Sequence, residues 1–447
     1  MAQLRILISG AGIGGNAIAF WLTKLGHRVT VIESFPDLRA SGLQVDLRGH
    51  GVEVLKRMGL ERAFREKSIP EQGMQMVDKF GKRRAFFPAS ESSEVNMGFS
   101  SDWEIMRGDL CQIIYDATKC RAKYIFGTSI DKYREENDTV NVQFSDGSIK
   151  SFDLVIGADG QGSQTRKLML GPNAQSPFRP INSMYVGYFT ISRPIQKGEE
   201  YVATSYMAPG SRGIMTRRHN DHEIQVYIGG RAQSDRLKVS LRGDVNERKG
   251  ALTEMIQGSG WKTDEILESL KTANDFYCER LGQIRLDRWS RGRVVLVGDA
   301  AYCPSAMTGM GTTSSIVGAY VLAGEIGQHC DSARVDAAAD DPDAIAAALE
   351  AYELEFSPFM AQIQQSVSLD GGRFDGLMCQ QKRVAILLVR PRNIQHPLCL
   401  MIVRLSTTLL SSSPIYSALS IVYKNDTLKY SIGYARTSPY CNDHVPT

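Results

Sequence analysis

A chain of 447 residues is too long for one small core and points to roughly two to three domains. Its 52 basic against 49 acidic residues leave a net charge of +3, which argues against the basic patch that nucleic-acid or membrane-surface binding draws on. The eight cysteines (Cys111, Cys120, Cys278, Cys303, Cys330, Cys379, Cys399 and Cys441) include no CxxC pair, so reduced thiols in a cytoplasmic protein are expected rather than a zinc or dithiol framework.

In chain order, residues 4–8 (LRILI) predict a buried strand, and the Met-Ala-Gln-Leu-Arg start is not expected to act as an export leader. A glycine turn and a helix over about residues 16–25 follow, and residues 28–33 (RVTVIE) close a βαβ unit. A second helix is expected over 51–58, stopping at Gly59. Residues 140–144 and 150–152 flank Ser145-Asp146-Gly147-Ser148, a hairpin signal. Residues 153–158 (DLVIGA) read as another buried strand, ending on Asp159-Gly160.

The pattern changes between about residues 176 and 285, where stretches such as MYVGYFTI and HEIQVYIGG predict a β-rich region. Residues 293–301 (RVVLVGDAA) return to the buried-strand style and lead into a helix over 311–328. The Asp/Ala-rich stretch 331–344 reads as a solvated loop before a further helix, AIAAALEAYELEF. The apolar stretch 396–423 is interrupted by Arg404, a Ser/Thr-rich middle and Pro414, which favours a helical cover over a membrane span.

The first turn carries GxGxxG at Gly10, Gly12 and Gly15. These glycines permit the tight turn, the close approach of backbone to a pyrophosphate, and tight helix–strand packing. The helix start offers unpaired N–H groups and a positive dipole end to phosphate oxygens. Glu33, at the end of the next strand, is placed to accept hydrogen bonds from both ribose hydroxyls. This much fits NAD and FAD equally.

Two later motifs separate them. One is Asp153-Leu-Val-Ile-Gly-Ala-Asp159-Gly160 with Gln-Gly-Ser-Gln-Thr-Arg166 behind it; the other is Val297-Gly298-Asp299-Ala300-Ala301, then Pro304 and Gly309-Met310-Gly311. In this order, with the strand-rich region between them, they resemble the class A flavoprotein monooxygenases of the p-hydroxybenzoate hydroxylase fold. The stretches Arg39-Ala-Ser-Gly-Leu-Gln-Val-Asp46-Leu-Arg48-Gly49 and Glu104-Ile-Met-Arg107-Gly-Asp-Leu resemble the tetracycline-inactivating members in particular.

That resemblance implies an α/β fold: a Rossmann-like FAD-binding domain in two pieces, 1–175 and 286–370, with a β-rich substrate domain, 176–285, inserted between them. C-terminal helices, 371–447, are expected to cover the active site. It also implies that Asp299 bonds the ribityl chain of FAD, and that Gly311 and Thr312 start a helix whose positive end faces the flavin. By the same match Asp46 and Arg107 contact FAD, Asp159 is shared between FAD and NAD(P)H, and Arg39 helps recruit NAD(P)H, with NADPH preferred over NADH by the resemblance. An arginine suits these places because its planar fork matches a phosphate or a flavin edge.

The chain departs from the family pattern at four places: Met310 where Gln is common, Thr313 for Asn, Tyr302 for His, and Gly318 for Asp. These departures bear on the electrostatics around the flavin.

The expected chemistry is reduction of FAD by NADPH, addition of O₂ to give a C4a-(hydro)peroxyflavin, and oxygen transfer to a small, largely apolar organic substrate. Hydroxylation or epoxidation of an aromatic or polycyclic molecule in a natural-product route fits that expectation. Tyr188, Arg217 and Tyr227, on the strand-rich region, are the candidate catalytic residues, able to orient or deprotonate a phenolic substrate. No metal is expected, because His219 and His222 fall in a charged turn. An oxidase or reductase of the same fold and a non-catalytic flavin binder stand as alternatives, and the oligomeric state is open.

Overall fold

The computed structural model describes residues 3–39, 42–89, 102–232, 235–330 and 343–367. The expected helical cover at 371–447 and nearly all of the 331–344 loop lie outside them.

The chain opens with β1 (Arg5–Ser9), α1 (Ile13–Lys24) and β2 (Arg28–Glu33), the expected βαβ unit, with β1 and β2 parallel from Arg5↔Arg28 to Ser9↔Ile32. The helix starts earlier than its apolar pattern indicated, at Ile13, so Gly14 and Gly15 lie in its first turn. Only glycine lets it sit so close: a Cβ on Gly15 would stand 1.8 Å from the Gly10 carbonyl oxygen.

There follow β3 (Gln44–Asp46), α2 (His50–Arg57), α3 (Glu61–Lys67), β4 (Gly73–Val77) and β5 (Arg83–Pro88). Next come β6 (Glu104–Met106), α4 (Arg107–Asp116), β7 (Lys123–Phe126), β8 (Ile130–Glu136), β9 (Thr139–Phe144), β10 (Ile149–Phe152), β11 (Leu154–Gly157) and α5 (Gln164–Leu170). The strand-rich region holds β12 (Phe178–Ser192), β13 (Val202–Ala208), β14 (Arg212–Arg218), β15 (Glu223–Arg231), α6 (Arg236–Ser240), α7 (Val245–Ile256), α8 (Thr263–Thr272) and β16 (Tyr277–Ile284). The chain then returns through β17 (Ser290–Arg291), β18 (Val294–Leu296), α9 (Asp299–Tyr302), α10 (Gly311–His329) and α11 (Asp343–Gln365).

A six-stranded sheet, β17-β18-β11-β1-β2-β7, is parallel except where β17 meets β18. Its central strands are buried on both faces (Ile6, Leu7, Ile8 and Leu154 through Ile156 are at 0%), which explains their continuous apolar sequence. Helix α10 packs against α1, α2 and α11, and the Trp21 and Tyr320 rings meet edge-on at 5.0 Å. Among the described residues no helix is long and apolar enough to cross a membrane.

The second sheet has seven strands, β16-β12-β15-β14-β13-β4-β5. It reaches back beyond residues 176–285: β4 pairs parallel with β13, and β5 lies on the far edge. Its strands alternate cleanly. Phe189, Ile214, Val226, Ile228 and Cys278 point to one face and pack on Leu252 and Ile256 of α7 and Ile266 and Leu270 of α8. Tyr188, Met215, Tyr227, Tyr277 and Glu279 alternate with them in sequence and line a cavity on the other side.

Candidate active site

The cavity, about 690 Å³, lies between this sheet and the C-terminal ends of β1 and β11. Parallel α/β sheets bind ligands at that end, where helix N-termini converge. Gly12, Gly14, Arg39, Asp46, Arg107, Gly160, Asp299, Gly311 and Thr312 line one side; Tyr188, Tyr227, Tyr277 and Glu279 line the other.

Two helices point their N-termini into it. Neither α1, capped by Gly12, nor α10, capped by Met310, has a side-chain cap or an acidic residue in its first turn, so their free N–H groups face the cavity. A Cβ on Gly12 would find only the Arg107 Nη2 within 4 Å, at 3.7 Å, so this turn is open with a guanidinium hung over it. Among the described residues Arg107 has no salt-bridge partner within 4.0 Å. Open N–H groups under a permanent cation suit a pyrophosphate.

Gly10 and Gly15 serve this turn from below. Gly10 has φ of +106°, and a Cβ there would meet the Ala158 carbonyl oxygen at 2.6 Å. Glu33 sits beside the turn, its carboxylate accepting the Ala11 N–H at 2.9 Å and the Phe35 N–H at 3.1 Å. Asp46 pairs with Arg48 at the cavity edge, and Arg39 stacks over the Phe35 ring at 5.2 Å. Asp299 lies at the N-terminus of α9, where burial pushes its carboxyl up while Cys303, Arg107 and Arg166 pull it down.

Asp159 is not among the lining residues. Its carboxylate accepts the Thr165 N–H at 2.9 Å and the Thr165 and Ser163 hydroxyls, and so holds the start of α5; Gly160 faces the cavity instead. Arg166, at the other end of this turn, donates to the Ala300 carbonyl at 2.8 Å and ties α5 to α9.

Of the three candidate catalytic residues, Tyr188 and Tyr227 come together on the cavity wall; Arg217 does not line it but reaches Tyr227 from behind, its charge and hydrogen bond pulling that phenol down against burial. The two tyrosine rings meet edge-on at 5.4 Å, and Tyr277 stacks on Tyr188 at 6.3 Å. Burial raises the Tyr188 phenol well above its usual range, with Glu279, Tyr227 and Tyr277 adding to the effect; burial pushes Tyr227 up to about 12. Both are therefore neutral phenols that donate hydrogen bonds.

Arg217 lies behind the wall. It binds Glu71 with two hydrogen bonds, at 2.8 and 2.6 Å, and also pairs with Glu104. Gln44 bonds both carboxylates through its side chain, and its N–H donates to the Gln225 amide oxygen at 3.1 Å, which also accepts the Tyr227 hydroxyl at 3.0 Å. Burial, with the Glu71 and Asp46 charges, pushes Glu104 up to about 7 against the pull of Arg217.

Sequence reasoning passed over Glu71, Glu104, Gln44, Gln225, Tyr277 and Glu279. Glu279 had a signal: in Tyr277-Cys-Glu-Arg-Leu-Gly-Gln-Ile284, a period of two puts Tyr277, Glu279 and Leu281 on one face. Glu71 had none, since only the fold brings it to Arg217. His219 and His222 fall in the turn between β14 and β15, and no group of three or more metal-ligating side chains occurs among the described residues.

The departures from the family pattern have local explanations. Thr313 accepts the Arg48 N–H at 3.0 Å and so holds the segment after β3 to α10. Met310 is buried at 3% and its N–H bonds the Thr308 hydroxyl at 3.1 Å.

A Rossmann-like domain whose phosphate turn and second helix N-terminus share one cavity with a tyrosine-lined sheet defines a flavoprotein oxidoreductase. The comparisons with known proteins agree. The FAD binding domain family matches residues 3–353, and the chain belongs to that family; it is a FAD-dependent monooxygenase. It is 51% identical over 392 residues to the FAD-dependent monooxygenase asL4 of Sarocladium schorii, covering 87% of this chain and 91% of that one. It is 43% identical over 339 residues to the flavin-dependent monooxygenase eupH of a Phoma species, covering 73% and 78%. The crystal structure of tetracycline destructase Tet(51) superposes with a TM-score of 0.70 at 28% identity, covering 86% of this chain and 95% of that one.

Proposed function

We infer that this enzyme uses NADPH and O₂ to hydroxylate or epoxidise a small, largely apolar aromatic or polycyclic substrate, in a natural-product route. The observation that carries the reading is the single cavity that joins two uncapped helix N-termini and Arg107 to a wall of tyrosines.

FAD, when bound, supplies the electron transfer and oxygen activation; the protein binds, orients and shields. Gly12, Gly14 and Arg107 would hold the pyrophosphate and Asp299 the ribityl hydroxyls, while the α10 terminus at Gly311 and Thr312 would favour negative charge on the ring. Glu33, outside the cavity lining and bonded to the Ala11 and Phe35 N–H groups, would meet the ribose beside the turn. Tyr188, Tyr227 and Tyr277 exclude water from the facing side and offer flat apolar surfaces with hydroxyl edges to a ring substrate. Arg39, stacked on Phe35 and lining the cavity, would be the cation that meets NADPH.

The test is stopped-flow absorbance of the FAD-loaded enzyme mixed with NADPH and then with oxygenated buffer and an aromatic substrate panel. Bleaching by NADPH, a transient near-ultraviolet band before reoxidation, and an oxygenated product support the reading. Reoxidation to peroxide across the panel, with neither band nor product, would sink it in favour of an oxidase or reductase.

A further inference from the structure

The cavity wall carries its cations on one side only, where Asp46 and Asp299 accompany them. Its cations, Arg39 and Arg107, both belong to the dinucleotide-binding side. The sheet and the turn entering β16 contribute two charged groups among the described residues, Asp275 and Glu279, and both are acidic. Arg217, the sheet cation that could have balanced them, is neutralised behind the wall by Glu71 and Glu104.

Glu279 is held by two phenols and has no cationic partner among the described residues. Tyr188 donates to its Oε1 at 3.4 Å and Tyr277 to its Oε2 at 3.3 Å. Among the described residues no cation lies within salt-bridge distance of it. Two long phenol contacts leave lone pairs of the carboxylate free on the cavity side, since each carboxylate oxygen accepts about two bonds. Asp275, four residues before it, accepts the Thr190 N–H at 3.1 Å and faces the same space. Two like charges in a partly buried wall repel a third strongly, and a hydroxyl there gains a charge-assisted bond.

We propose that Glu279 is a specificity-determining residue that accepts a hydrogen bond from a hydroxyl on the substrate ring and, with Asp275, rejects substrates that carry a carboxylate. The substrate class is therefore neutral phenols or enols, not aromatic acids. This rests on the reading of the tyrosine-lined wall as the substrate side.

Calorimetric titration of the full-length FAD-loaded enzyme, without NADPH, with 2-naphthol and with its carboxylate analogue 3-hydroxy-2-naphthoate tests it. Wild type should bind 2-naphthol at least about tenfold more tightly than the naphthoate, and Glu279→Gln should reduce that ratio to about threefold or less. Asp275→Asn should narrow it in the same direction, and serves alone if Glu279→Gln does not melt cooperatively. Naphthoate binding equal to or tighter than 2-naphthol in wild type, no measurable 2-naphthol binding, or a ratio that the variants leave unchanged overturns the assignment. Because no reductant is present, the result stands apart from oxygen transfer, whose failure would show only in product analysis.

Discussion

Gly318 of α10 leaves the space that the Tyr302 hydroxyl fills: a Cβ built on Gly318 would stand 1.9 Å from that oxygen and 2.9 Å from the Phe356 ring. Tyr302 is 1% exposed, accepts a hydrogen bond from the Tyr352 hydroxyl at 3.2 Å, and packs on Trp289 at 4.6 Å. Two departures from the family pattern are thus one coupled change, and it sits in the helix–helix core instead of at the cavity wall.

The coupling is measurable. Gly318→Ala should destabilise the protein by about 1–3 kcal/mol through overpacking. Tyr302→Phe removes the clashing oxygen, so the double variant should recover part of that loss; Tyr352 keeps a second acceptor in the Leu296 carbonyl at 3.4 Å. Denaturation midpoints of the four proteins check this, and strictly additive losses would contradict it.

Gly12 and Gly15 should respond differently to the same substitution. Gly12→Ala meets open space in the protein, so it should melt near wild type but lose FAD affinity as its methyl group enters the phosphate position. Gly15→Ala drives a methyl group into a backbone oxygen and should lower the melting temperature or abolish folding, with or without FAD. Thermal shift with and without FAD distinguishes the two; equal melting losses would refute the division of roles.

Arg107→Ala should weaken FAD binding by roughly 10–100-fold, the equivalent of about 1.5–3 kcal/mol for a charge-assisted bond. Arg107→Lys should recover only part, because an ammonium does not reproduce the planar fork. Flavin fluorescence titration reads both. An affinity unchanged in the alanine variant would remove Arg107 from the site.

Glu104 should give the protein a pH dependence of defined sign. Its folded value is raised to about 7 from 4.5, so its favourable contribution is complete below 4.5 and is lost as pH rises through about 7. Melting temperature measured from pH 5 to 8, as an order-of-magnitude window around that value, should therefore fall in part through this group. Glu104→Gln, neutral throughout, should flatten the slope. Burial raises Glu279 in the same direction, so Glu279→Gln is the matched comparison, and a slope untouched by Glu104→Gln would clear Glu104 of the effect.

The dinucleotide half of the site was legible in the sequence because its signals are local. The glycine turn, the strand after it and the GDAA stretch each encode a tight backbone geometry within a few residues, and Gly12, Arg39, Asp46, Arg107, Asp299, Gly311 and Thr312 all reach the cavity. The substrate half was legible only as strands. Tyr188 and Tyr227 reach the cavity as aromatics on alternating strands do, whereas Arg217 looked the same in sequence and is neutralised by residues 146 and 113 positions away. Long-range ion pairing leaves no periodic trace, and neither does the recruitment of β4 and β5 into the second sheet.

That interleaving has a consequence for how the protein is made. Strand β1 waits for β11, and β11 for β18, so the first sheet closes only when Val294 has left the ribosome. Strand β4 likewise waits for β13, beginning at Val202. The chain must carry unpaired strand edges through most of its synthesis, a situation that slows folding and invites aggregation. A fragment that stops before β18 lacks both the closing strand and the Asp299 turn, so the flavin pocket cannot form before α10 begins, and flavin uptake should report that the chain has passed Ser315.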